Sequence, residues 1–174
     1  MRFVDLLRVT VLLSAGAATA LGVVCVLGAS AVGDAGPVLV SAGWWVVAMV
    51  IGGVVGRRAQ ANPPVARALA QARTATALPE QRPGPVVLNR LWPLLLSTVL
   101  AGAVAFLVPQ VQGIAAGFAI IWALAWRRQD AAVLAVEERD GVTFYVERTS
   151  PVRAIRLLRT PGFRREVPTL STSG

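Results

Sequence analysis

The sequence predicts an all-α membrane protein in which four transmembrane helices form two antiparallel hairpins, followed by a small C-terminal β-hairpin appendage at the cytoplasmic face. Three observations carry this reading. Residues 91–126 are 36 positions without a charge, broken near the middle by Pro109, Gln110, Gln112 and Gly113 and closed by Arg127 and Arg128. As one helix the stretch would run about 54 Å at 1.5 Å per residue, against a hydrocarbon core of roughly 30 Å. It therefore folds back into two spans, 91–108 and 110–126. Only 15% of residues are charged, well below the roughly 25% of soluble domains, and the mean hydropathy is +0.63; apolar surface on this scale is met by lipid. Finally, all 17 basic residues are Arg and they fall in alternate connections along the chain, which also fits a GC-rich bacterial source.

The first hairpin occupies residues 1–56. Residues 9–33 form a charge-free run of 25, preceded by Arg2, Asp5 and Arg8. A secretory signal peptide also starts basic, but its apolar region is about 7 to 15 residues long. Although Ala29-Ser30-Ala31 imitates a cleavage site, the length favours an uncleaved first span over about 9–30. Gly33-Asp34-Ala35-Gly36-Pro37 is a short turn, and 38–56 supplies a second span before Arg57 and Arg58.

The linker, 57–90, carries six Arg against Glu80 alone. Asn62 followed by Pro63 and Pro64 marks a helix start, and the alanine-rich run 65–78 has good helix propensity. Val65, Ala68, Leu69, Ala72 and Thr76 share one narrow face, as on a helix lying at the membrane surface or a solvated connector. Pro79, Pro83, Gly84 and Pro85 then read as extended chain leading to Arg90 and the third span.

Beyond Arg128 the pattern turns soluble. Residues 132–138 and 142–148 are strand-length runs separated by Asp140-Gly141, a step that tolerates the positive φ of a type I′ turn, so a β-hairpin is expected. The competing reading continues the fourth helix to the glycine. Residues 152–159 read either as a short amphipathic helix, with Arg153, Arg156 and Arg159 opposite Ile155, Leu157 and Leu158, or as a third extended segment. The Ser/Thr-rich end from Pro168 reads as disordered.

Positive charge orients the chain. The N-terminus has two Arg, the linker six and the C-terminal region nine, while the two remaining turns have none. By the positive-inside rule both termini and the linker are cytoplasmic. Trp92, Trp122 and Trp126 then fall at the inner interface, whereas Trp44 and Trp45 lie deeper, between helices or against lipid. The echo of Arg57-Arg58-Ala59-Gln60 in Arg127-Arg128-Gln129 is read as the same pressure acting at two exits. Single Cys25 lies within an apolar helix and reads as a packing residue.

Small residues at four-residue spacing mark candidate contact faces, because they let helices approach closely where lipid leaves no hydrophobic drive between them. These are Ser14, Ala18 and Gly22; Ala48, Gly52 and Gly56; Ser97, Ala101 and Ala105; and Gly113 and Gly117. Candidate headgroup contacts are Arg127, Arg128, Arg153, Arg156 and Arg159, each Arg near an anionic surface contributing about 1 kcal/mol. The expected partners are the bilayer and other membrane proteins or further copies of the chain. Nucleic acid is not expected, since the basic tail lacks interleaved aromatics.

The predicted spans contain no Asp, Glu, Arg or His, which argues against a proton-coupled carrier. With no His and one Cys, zinc and di-iron ligand sets are missing and no cofactor is expected. Glu137, Glu138 and Asp140 could hold a divalent ion beside the membrane, but a solvated turn balanced by Arg139 is the simpler reading. The expectation is a non-enzymatic accessory or scaffold protein of a bacterial plasma membrane. The alternative is a subunit of an oligomeric channel or small-solute transporter; an enzyme acting on lipid phosphates is a third reading.

Overall fold

A computed structural model describes residues 1–33, 35–57, 60–75, 83–104, 108, 110–147 and 155–161. The elements run α1 (Phe3–Val32), α2 (Gly36–Val55), α3 (Pro63–Ala70), β1 (Arg73–Thr74), α4 (Pro83–Val104), α5 (Gln110–Trp126), α6 (Gln129–Asp140), β2 (Val142–Val146) and β3 (Leu157–Pro161). The protein is mostly helical with one small sheet, and α1, α2 and α4 are long and apolar enough to cross a membrane. A further helix without a charged residue, α5, has 17 residues.

Two helices extend beyond the spans expected within them, for the same reason: a helix tolerates polar residues at an end that leaves the apolar bundle. With 30 residues, α1 is about 45 Å long. That exceeds a hydrocarbon core of roughly 30 Å, and Asp5 and Arg8 lie in the helix's first two turns with Arg2 at the N-cap. The helix that contains the expected third span begins at Pro83, so Pro83, Gly84 and Pro85 are helical and not extended chain. Pro83 and Pro85 fall in the first turn of α4, where a missing N–H breaks no intrahelical bond, so Arg90 is helical.

The bundle does not pack as two separate hairpins. α5 is wedged between α1 and α2, which touch each other little, while α4 lies more lightly against α1 and α5. On α1 the buried stripe is Ser14, Ala17, Leu21 and Cys25, spaced by three and four residues as one helical face requires. It runs one position away from the expected Ser14, Ala18 and Gly22, and leaves Gly22 against the Trp45 ring, 3.5 Å from where a Cβ would stand. Many large side chains on the opposite faces stay exposed, among them Leu12, Val40, Val50 and Val99, as lipid contact demands.

At one end of the bundle the chain builds a second core. Phe3, Val4, Leu6 and Leu7 of α1 pack with Val65 of α3, Val133 of α6, and Phe144, Val146 and Leu157 of the sheet. Fully burying an aliphatic or aromatic side chain contributes about 1.5–3 kcal/mol, so this cluster holds four distant chain segments together. The strand order is β1-β3-β2. β1 is parallel to β3, with Arg73 opposite Leu158, and β2 is antiparallel to β3, with Phe144 opposite Arg159 and Val146 opposite Leu157. Arg2 bridges Tyr145 on the free side of β2, and the Val146 N–H donates to the Met1 carbonyl at 3.1 Å.

The expected hairpin of 132–138 with 142–148 is corrected. Residues 132–138 belong to α6, because Gln129, Ala132, Val133 and Glu137 are buried at helical spacing. Gly141, at φ 62°, supplies the left-handed C-cap of that helix instead of a two-residue turn. The second run does form a strand, with Val142, Phe144 and Val146 facing in, and its partner is 157–161. Part of the 152–159 segment is thereby extended; Arg153 and the end from Pro168 lie outside the described residues.

Candidate functional site

The head at this end of the bundle is framed by polar contacts that range from buried to exposed. The Arg2 guanidinium donates from Nη2 to Glu137 Oε2 at 2.7 Å, and the Phe144 N–H donates to Glu137 Oε1 at 2.8 Å. Arg8 Nε reaches Asp130 Oδ2 at 3.0 Å. Gln129, 1% exposed, accepts the Asn62 N–H on Oε1 at 2.8 Å and donates to the Gln60 carbonyl at 3.4 Å. Arg128 donates to the Arg57 carbonyl at 3.2 Å. The two echoing exits therefore meet side by side, and one side chain clamps the linker to the α5–α6 junction.

Two of the three acidic residues that offered a metal site, Glu137 and Asp140, are taken up in contacts of this kind, while Glu138 is exposed. Glu137 is a structural acceptor. Asp140 pairs with Arg139 at 2.8 Å, and hydrogen bonding from that guanidinium holds the Asp140 carboxyl below its ordinary range while raising Arg139. Among the described residues no group of three His, Cys, Asp or Glu side chains could hold a metal.

Where the head meets the bundle there is a cavity of about 650 Å³. Its floor is Phe3, Leu6 and Leu7 of α1 with Val65 of α3, all buried. Its bundle side is Leu91, Trp122 and Trp126; the two indoles stack with centroids 5.6 Å apart and planes 15° from parallel. Polar groups on the wall are Thr10, Arg67, Gln71 and Arg90, and the Thr10 hydroxyl is already donated to the Leu6 carbonyl at 2.8 Å. A smaller recess of about 190 Å³ adjoins it, sharing Ala68, Gln71 and Ile155 and adding Arg73, Arg156 and Leu157. The described walls of both contain cations and no carboxylate, an arrangement suited to an anionic amphiphile: mostly apolar walls with a few placed polar groups.

The expected headgroup arginines divide. Arg127, Arg128, Arg156 and Arg159 are exposed, and Arg128 in addition donates to the Arg57 carbonyl. Sequence reasoning missed Arg67 and Arg73. The excess of Arg in the linker marked both, but it served only to orient the chain; that β1 would join β3 and bring Arg73 beside Arg156 had no local signature.

The small-residue faces have definite neighbours. A Cβ on Gly113 would collide with the Ser41 hydroxyl, and one on Gly117 with the Trp44 indole; one on Gly52 would stand 2.9 Å from Leu124 Cβ, and one on Gly56 would strike the Leu124 carbonyl. Trp45 Nε1 donates to the Gly113 carbonyl at 2.8 Å and Trp44 Nε1 to the Ile114 carbonyl at 3.1 Å. Ala48 is fully buried. Ala101 is half-buried on the lightly packed α4, and Ala105 lies outside the described residues. No family model matches the chain, and neither a curated protein nor a solved structure matches it.

Proposed function

We propose that the protein is a four-span, non-enzymatic accessory or scaffold protein of a bacterial plasma membrane, with an arginine-rich head resting on anionic headgroups at the cytoplasmic face. The supporting observation is that N-terminus, linker and tail meet in one head. The chain leaves this head in α1 and returns after α2, then leaves in α4 and returns after α5. An excursion that starts and finishes at one end of a bundle makes an even number of crossings, which favours α5 as the fourth span. Its 17 uncharged residues reach about 26 Å, enough for a bilayer slightly thinned or flanked by Trp and Arg anchors. The positive-inside rule then favours a cytoplasmic head. A channel or transporter subunit has less support, because α5 is closed against α2 by the Gly113, Gly117 and Gly52 contacts.

The test is hydrogen exchange of the full chain in nanodiscs of phosphatidylglycerol or phosphatidylcholine. Exchange over residues 129–161 is expected to be slower on the anionic lipid and to recover at high salt, where the screening length falls from about 10 Å at 0.1 M to about 3 Å at 1 M. Identical exchange on the two lipids would overturn head docking.

A further inference from the structure

We propose that the cavity between head and bundle is a discrete site for one anionic phospholipid, its headgroup in the Arg73 and Arg156 recess and an acyl chain in the larger chamber. This rests on the reading that the head faces the inner membrane surface, and goes beyond it by naming a bounded, stoichiometric site. Three features point to this occupant. The two spaces adjoin through Ala68, Gln71 and Ile155, so one molecule can lie in both. Their chemistry is graded: the recess has Arg73, Arg156 and Gln71, while the chamber runs over Phe3, Leu6 and Leu7 to the stacked Trp122 and Trp126. That order, polar beside the sheet and apolar toward the bundle, is the order of a phospholipid in the inner leaflet. Third, the charge is complementary. Arg67 and Arg90 line the chamber as well, and Arg67, Arg73 and Arg156 have no carboxylate partner among the described residues. Basic pockets between membrane helices at the cytoplasmic side suit phosphate headgroups, and about 650 Å³ is within the usual range of ligand sites.

The experiment uses the delipidated full chain in detergent, titrated with dioleoylphosphatidylglycerol or dioleoylphosphatidylcholine under native mass spectrometry. One phosphatidylglycerol should bind each chain saturably, at least about tenfold tighter than phosphatidylcholine. The double variant Arg73→Gln, Arg156→Gln should lose about tenfold or more for phosphatidylglycerol and leave phosphatidylcholine unchanged. Ala68→Trp fills the wall common to both spaces without changing charge, and should abolish saturable binding; Gln71→Trp serves where Ala68→Trp lowers the unfolding midpoint. Graded uptake of many lipids, no headgroup preference, or full affinity in both filled variants would overturn the site. Displacement of the lipid by excess inorganic phosphate alone would also overturn it, leaving an anion site with no acyl chamber. The nanodisc exchange effect separates this proposal from the broader one. Ala68→Trp should keep salt-sensitive protection of the head, so protection without saturable binding sinks only the site, and saturable binding without protection sinks only head docking.

Discussion

Arg2 and Glu137, 135 positions apart in sequence, meet at 2.7 Å and tie the N-cap of α1 to α6. The pair is asymmetric: the Glu137 side chain is 6% exposed and that of Arg2 45%. The carboxylate also carries the Phe144 N–H, so its removal strands a buried donor in addition to a cation that water can still reach. Glu137→Ala should destabilise the head by about 1–3 kcal/mol. Glu137→Gln, which retains an acceptor, should lose less, since the half-exposed Arg2 makes the ionic part small. Hydrogen exchange at the Phe144 amide reads the effect locally, and an unchanged rate in Glu137→Ala would mean the carboxylate is not what holds β2 on α6.

The α2–α5 contact makes an equally sharp contrast among glycines. Gly117 faces the Trp44 ring, whereas a Cβ at Gly53 or Gly102 would have nothing within 4 Å. Gly117→Ala should therefore be destabilising by about 1–3 kcal/mol, the usual range for overpacking a well-filled interface. Gly53→Ala should be neutral or gain about 0.5–1 kcal/mol from helix propensity. Thermal unfolding in detergent, followed by tryptophan fluorescence, compares them. Equal midpoints for the two variants would show that Trp44 does not occupy the Gly117 notch.

What was legible in the sequence were properties local to a segment. Residues 91–126 announce a fold-back because absence of charge and a central Pro109 need no knowledge of neighbours. Asn62-Pro63-Pro64 likewise announces the start of α3, since a proline in the first helical turn breaks no hydrogen bond. Asp140-Gly141 misled because a type I′ turn and a helix C-cap both require positive φ at the glycine. What separates them is the helical burial of Gln129, Val133 and Glu137, and two of those three are polar, so hydropathy hid the period. Phe3, Leu6 and Leu7, which precede the expected first span at 9–30, belong to the core of the head. The placing of α5 between α1 and α2, and of Arg73 beside Arg156, depends on pairings between distant segments that no periodicity specifies.

An even number of crossings implies a definite labelling pattern. Cys25 is 2% exposed, so its background reaction should be slight. In intact cells a cysteine at Ala35 or Gln110, both at the end of the bundle away from the head, should react with an impermeant thiol reagent. One at Thr74, on β1, should react only after lysis. Labelling of Thr74→Cys in intact cells would reverse the orientation, whereas silence at Gln110→Cys with labelling at Ala35→Cys would make the α4–α5 pair re-entrant and leave two spans.

Gln112 offers the last test, within the bundle itself. Its side chain is 3% exposed, and Oε1 has no hydrogen-bond partner among the described residues. The amide Nε2 lies 3.6 Å from the point where a Gly28 Cβ would stand, so the group is pressed against the small-residue surface of α1. A buried carbonyl left without a donor is destabilising by about 1–3 kcal/mol, and replacing it with an apolar group of similar shape removes that term. Gln112→Leu or Gln112→Met should consequently raise the unfolding midpoint, with Met the better tolerated because its unbranched chain follows the glutamine's shape. Gln112→Ala should not, because it exchanges the unsatisfied oxygen for a cavity. A lower midpoint for Gln112→Met would mean that the oxygen does have a donor in the folded protein, and Gln112 would then count among the residues whose contacts stabilise the bundle.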